Sequence, residues 1–185
     1  SEMCKETGLE TIARVGQSFR LPAAFDTLTW YGKGPWETYA DRKDAALIGL
    51  YTSSVAEQHV PFAVPCECGG HEDTRFAALS DGTHTVQIVG SDDFHFSALP
   101  YSIAEYRKAT YEEELPEQTT GTWLILDVAH AGLGGDTGWT KNIHPEIVYA
   151  REDTAIRSVS ISHKRKNRPT AYWILTEPVS YTHLR

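Results

Sequence analysis

Thr74-Arg75-Phe76-Ala77-Ala78-Leu79-Ser80-Asp81-Gly82-Thr83-His84-Thr85-Val86-Gln87-Ile88-Val89 reads as two short strands folded back on each other. Residues 74–79 and 83–89 mix apolar and polar positions in the manner of strands. Ser80-Asp81-Gly82 between them is a turn by composition, so a hairpin is expected. The neighbouring segments have the same character. Residues 94–98 and 123–128 read as strands, and residues 146–149 as a shorter one. Residues 12–21 alternate imperfectly, with Ile12, Val15, Phe19 and Leu21 as the apolar positions, until Pro22 interrupts them. Residues 28–31 form a short apolar run closed by Gly32-Lys33-Gly34-Pro35, again a turn by composition. Residues 45–51 fit a strand or a helical turn. Residues 59–64, with Pro61 inside and Pro65 after, fit an edge strand or an extended segment, because proline cannot donate to a ladder. Residues 155–163 alternate imperfectly, and residues 172–175 can pair as a strand.

One helix is expected, over residues 102–109. Ser102 followed three residues later by Glu105 makes a capping-box signature ahead of the helix body. Glu112-Glu113-Glu114 is a charge run that reads as a solvated face. Many short strands, little helix and glycine- and proline-rich turns give an all-β class built as an antiparallel sandwich.

The 185 residues suffice for one substantial core. Apolar residues make up 41% and charged residues 23%, the composition of a soluble globular chain. A net charge of -8 argues against a nucleic-acid phosphate binder. No window approaches the ~20 apolar residues of a membrane span, and the polar residues 1–10 lack a signal-peptide core. Cys4, Cys66 and Cys68 are too few and too irregular for a disulfide framework. Cys66-Glu67-Cys68-Gly69-Gly70-His71 has no second Cys/His pair to complete a zinc site, so it reads as a turn with two ordinary thiols. His71 and His144 lie beside turns without ligand spacing and are expected at the surface.

Gly134-Gly135-Asp136-Thr137-Gly138-Trp139 lies between two strand-like runs. A glycine-dense loop ending in tryptophan suits a rim where an aromatic face meets a ligand. A tryptophan packed into the core is the competing reading, and the residues alone leave both open.

Four segments carry a family resemblance. Residues 30–43, WYGKGPWETYADRK, are similar to the WYGRGPxENYPDRK motif of large bacterial β-galactosidases of glycoside hydrolase family two. Val60-Pro61 and Pro65-Cys66-Glu67-Cys68-Gly69 resemble that family's YVxPQENG turn. Phe96-Ser97-Ala98-Leu99-Pro100-Tyr101-Ser102 resembles its FSALPYS segment, and residues 130–139 its MGVGGDDSW loop, with His144-Pro145-Glu146 following. The four stand in the family's order across roughly residues 13–157. Cys66, Cys68 and Thr137-Gly138 depart from the pattern.

The resemblance implies the C-terminal domain of these enzymes, an antiparallel super-sandwich similar to galactose mutarotase, and not the barrel that does the chemistry. The family's whole domain is longer, so a partial domain over residues 1–166 is implied, with residues 167–185 a divergent or non-native tail. It implies that Trp139 offers an apolar platform to a β-galactoside in the barrel's site, with Asp136 a weaker substrate contact. Gly134, Gly135, Glu37, Asp41 and Arg42 would shape the loops. Glu37 is expected to hold its loop by hydrogen bonds, Asp41 and Arg42 to form a local ion pair, and Trp36 to face solvent or an interface. A retaining glycosidase needs two carboxyl groups about 5–5.5 Å apart. No segment here resembles the barrel's catalytic motifs, so no catalytic residue is expected and the isolated chain should be inactive.

The resemblance further implies no cofactor in this chain, with Mg and Na ions held by other domains of a parent enzyme. Its partners would be the catalytic barrel and the rest of a homo-oligomeric parent polypeptide, in the cytoplasm, with the periplasm as the alternative. The competing reading is a free-standing carbohydrate-binding sandwich, or a mutarotase-like enzyme needing its own His and Glu at the sugar's anomeric centre.

Overall fold

The computed structural model describes residues 11–12, 14–132, 149–150, 159–165 and 171–175. At the centre of its main sheet stands the hairpin read from residues 74–89. Its two strands, β5 (Gly70–Ser80) and β6 (His84–Leu99), are both longer than the sequence suggests. The Asp81 carboxylate closes the turn by accepting from the backbone N–H groups of Thr83 and His84, at 2.8 and 2.5 Å. Gly82 takes the left-handed conformation (φ 85°) that such a turn requires.

Around this hairpin lie β2 (Arg14–Leu21), β3 (Thr27–Gly34), β4 (Leu47–Ser54), β7 (Thr122–His130), β9 (Val159–Arg165) and β10 (Ala171–Leu175). All pair antiparallel, in the order β10-β9-β6-β5-β3-β4, while β7 joins the far half of β6 and β2 joins β7. β1 (Thr11–Ile12) and β8 (Tyr149–Ala150) form a separate short ladder. Among the described residues the fold is all-β and antiparallel with one short α-helix, as the sequence predicts.

β6 does the work of two strands. Its first half pairs with β9 and β5, and its second half with β7 and β5. Between Val89 and Phe94 the register on β5 jumps, so residues 90–93 bulge and bend the strand. The polar Gly-Ser-Asp-Asp of the bulge is what made residues 83–89 and 94–98 look like separate strands. Beyond the bend every residue from Phe94 to Leu99 is buried, because both faces are covered. Phe94, Phe96 and Ala98 face a core with Leu28, Trp30, Leu79, Ile88, Leu124 and Leu126. Leu99 faces a second cluster with Cys68, Tyr106, Leu115 and Ile125. Each fully buried leucine or isoleucine here contributes about 1.5–3 kcal/mol.

Two further expectations change. Gly32-Lys33-Gly34 is not a turn but the end of β3, still paired to Gly49, Ile48 and Leu47. A Cβ at Gly32 would stand 2.5 Å from Thr74 Oγ1, so glycine serves close packing there rather than a bend. The strand ends at the cis Gly34–Pro35 peptide. Residues 59–64 form no strand but follow a single 3-10 turn, Ala56–Gln58. For residues 45–51, β4 settles the choice in favour of strand.

The helix α1 (Ile103–Lys108) has the predicted capping box. Ser102 Oγ accepts from the Glu105 N–H at 3.1 Å, and Glu105 Oε2 accepts from the Ser102 N–H at 2.6 Å. Tyr106, on its inner face, anchors it to the second cluster.

Directly paired residues share a face of the sheet. Leu50 pairs with Tyr31, Tyr31 with Phe76 and Phe76 with Val89, so an apolar row crosses four strands on the face opposite the main core. Leu50 is 66% exposed, Val89 42% and Tyr31 39%.

Candidate functional site

Trp139, Asp136, Gly134, Gly135 and His144 lie outside the described residues. What is described is the root of their loop, where β7 ends at His130 and the chain passes Ala131 to Gly132. Gly132 has φ 88°, and a Cβ there would collide with the Asp41 carboxylate. Only glycine meets both conditions without strain. Its N–H donates to His130 Nδ1 at 3.0 Å, which pins the first residues of the loop to the strand.

His130 in turn belongs to a largely buried polar cluster. Its Nε2 lies 3.2 Å from Glu67 Oε1, and Glu67 Oε2 accepts from Arg14 Nη1 at 2.9 Å. Arg14 grips Asp127 with two parallel bonds, Nε to Oδ1 and Nη2 to Oδ2, both 2.7 Å. His95 Nδ1 lies 2.8 Å from Asp127 Oδ2. The Tyr39 ring packs on the rings of His95 and His130, at 5.4 and 5.3 Å between centroids.

Burial works to raise the pKa of Asp127, but the bonds from Arg14 and His95 outweigh it and hold the group below its ordinary value. Burial likewise opposes ionisation of Glu67, and His130 and Arg14 prevail. Both carboxylates are thus held ionised by the partners that also fix their positions.

The loop after Pro35 supplies the next layer. Glu37 Oε2 accepts from the Gly69 N–H at 2.7 Å and Oε1 from Arg42 Nη2 at 2.5 Å, so Glu37 ties its own loop to the 66–70 turn. Arg42 does form a local ion pair, but its carboxylate is Glu37, five residues before it, where the sequence pointed to the adjacent Asp41. Its guanidinium carbon sits 4.8 Å from the Tyr39 ring centre. Asp41 stands against Gly132. Trp36 is 74% exposed, as expected.

The resembling segments therefore meet in one place. Glu37, Tyr39, Asp41 and Arg42 come from the first, Glu67 and Gly69 from the second, and His130 and Gly132 from the fourth. β6, which carries the third, contributes His95 one residue before it. The polar cluster itself was not anticipated. Its signal lies in the strands: Asp127 interrupts Trp123-Leu124-Ile125-Leu126, and His95 sits between Phe94 and Phe96. A charged or polar side chain inside a buried apolar run must have partners.

His71 corrects another expectation. It is fully buried, with Nε2 2.6 Å from Gln58 Oε1 and its ring 4.2 Å from that of Trp30. Burial pushes its pKa down to about 3. His71 opens β5 with its side chain toward the core, which no local spacing reveals. Cys66 is exposed and Cys68 buried, both as free thiols. Among the described residues no group of three or more His, Cys, Asp or Glu is arranged to hold a metal ion. No described helix is long and apolar enough to cross a membrane.

Comparison with known proteins agrees with this convergence. The family model described as beta galactosidase small chain matches residues 2–159. A β-galactosidase of Vibrio cholerae serotype O1 is 39% identical over 76% of this chain and 13% of its own length. One from Priestia megaterium is 38% identical over 72% of this chain and 13% of its own. Beta-galactosidase 2 of Enterobacter cloacae is 40% identical over 74% and 12%. The chain thus spans about an eighth of the length of the curated relatives it matches.

Proposed function

The chain belongs to the β-galactosidase small-chain family, and from that premise we propose that it is the part of a β-galactosidase that completes the sugar site. The reaction is hydrolysis of terminal β-galactosides. The two catalytic carboxyl groups sit on a barrel elsewhere in the polypeptide, and this chain adds Trp139 to the outer part of the site. Asp136 makes a secondary contact there.

The observation that carries this reading is the anchoring of the Trp139 loop at its root. His130, Glu67, Arg14, Asp127 and His95 form one network, buried at His130, Asp127 and His95 and half-buried at Arg14 and Glu67, and Gly132 is bonded to it. A platform contributes only if it is held where the ligand will be, since a mobile indole must be ordered on binding. A pyranose presents a C–H face that packs on an indole, while its hydroxyls find polar partners elsewhere. The row Leu50-Tyr31-Phe76-Val89, exposed at Leu50, Tyr31 and Val89, fits a domain whose outer sheet face is covered by another part of the same polypeptide. A super-sandwich of the galactose mutarotase type, with the remaining strands supplied from outside this chain, would provide that cover.

In the full polypeptide, Trp139→Ala should lower kcat/KM for a β-galactoside by about five-fold or more, which is about 1 kcal/mol of lost packing. The folded state should be unaffected. Unchanged kinetic constants would contradict the platform role.

A further inference from the structure

A cleft of about 560 Å³ opens where the loop after Pro35 meets the 59–69 segment. Its volume falls in the range of small-ligand sites, about 300–1,000 Å³. Trp36 and Phe62 line it with exposed aromatic surface, and Glu37, Arg42 and Gln58 supply planar polar groups.

We propose that this cleft binds a pyranoside, with the ring's C–H face on Trp36 and its hydroxyls on Glu37 and Arg42. The choice of a galactoside as its sugar rests on the function proposed above.

The polar groups are fixed before any ligand arrives. Glu37 is held through both oxygens, by Arg42 and by the Gly69 N–H. Arg42 lies over the Tyr39 ring. Gln58 donates to Ser53 Oγ at 2.6 Å and meets buried His71 at 2.6 Å. A carboxylate has about four lone-pair sites and a guanidinium five N–H donors, so Glu37 and Arg42 retain capacity for vicinal hydroxyls. Such preorganisation reduces the ordering cost of binding. Trp36 keeps most of its surface open, and a sugar is the occupant that uses both features. An apolar peptide would cover the Glu37–Arg42 pair without replacing its water, a cost that a polyol avoids.

Cys66 lines the same cleft with an exposed thiol, whereas Cys68 is buried, so labelling can report occupancy. The full polypeptide is treated with iodoacetamide, with and without methyl thio-β-galactoside, and modification is followed peptide by peptide. At twice its dissociation constant the sugar should slow Cys66 alkylation about three-fold, because only about a third of the sites remain free. Cys68 should stay unmodified throughout, showing that the fold persists. Trp36→Ala should abolish the protection, and Trp139→Ala should leave it in place.

Absence of protection, or protection that survives Trp36→Ala, would overturn the proposal. So would a Cys66 unreactive without sugar, since another part of the polypeptide would then cover the cleft. Failure of the Trp139 platform appears instead in the kinetics of Trp139→Ala, so the two readings fail separately.

Discussion

Asp127 is the residue on which the polar frame turns. It is fully buried, accepts two bonds from Arg14 and one contact from His95, and stands in the middle of an apolar strand. Removing its charge leaves Arg14 with Glu67 as its one remaining carboxylate and breaks the bidentate pair inside the strand. Asp127→Asn should therefore lower the unfolding free energy by about 3–5 kcal/mol, measured by urea denaturation. A loss well under 1 kcal/mol would mean that the pair is dispensable.

His71 gives a pH dependence of a definite sign. Its folded-state pKa, about 3, lies below the value of 6.5 for the free side chain. As pH falls below about 6.5 the unfolded chain takes up the proton first, so stability declines from there toward pH 3. At pH 5 the loss from this group is about 2 kcal/mol. His71→Gln should flatten the stability profile between pH 5 and 6.5. An equal decline in both proteins would assign the effect to another group. That Glu37 and Arg42 tie down their own loop was legible because they lie close together in a recognisable motif, although the bond from Gly69 to Glu37 spans 32 residues. His71 and Asp127 were not, because their partners lie far away in sequence: Gln58 across the 66–70 turn, and Arg14 at the other end of the chain.

Among the elements, α1 was the most legible, since its stop and start signals are local. Ser102→Ala removes one side of the capping box and should cost about 1 kcal/mol, read as a lower urea midpoint. No change would mean that Tyr106 packing alone fixes the helix. The strands were found but their ends were not. Local composition cannot show that Gly32 is paired because Thr74 crosses close beside it, nor that β6 continues through Gly90-Ser91-Asp92-Asp93 because two different partners hold its halves. Strand length is decided by what lies opposite, and that is information held elsewhere in the chain.

For the molecule as a whole, the antiparallel all-β class followed from strand and turn chemistry, whereas the meeting of the four family segments needed three dimensions. They gather at the root of the Trp139 loop, and elsewhere the sheet carries an apolar row on the face turned away from the main core. Both features fit a domain that acts within a larger enzyme. The most direct measurement is β-galactoside hydrolysis by this chain alone, and then by the chain mixed with a family-two β-galactosidase truncated before its C-terminal domain. The chain alone should give no turnover, the mixture should turn over, and Trp139→Ala should lower that turnover. Hydrolysis by the chain alone would contradict this reading, because the catalytic carboxylates would then have to lie within these 185 residues.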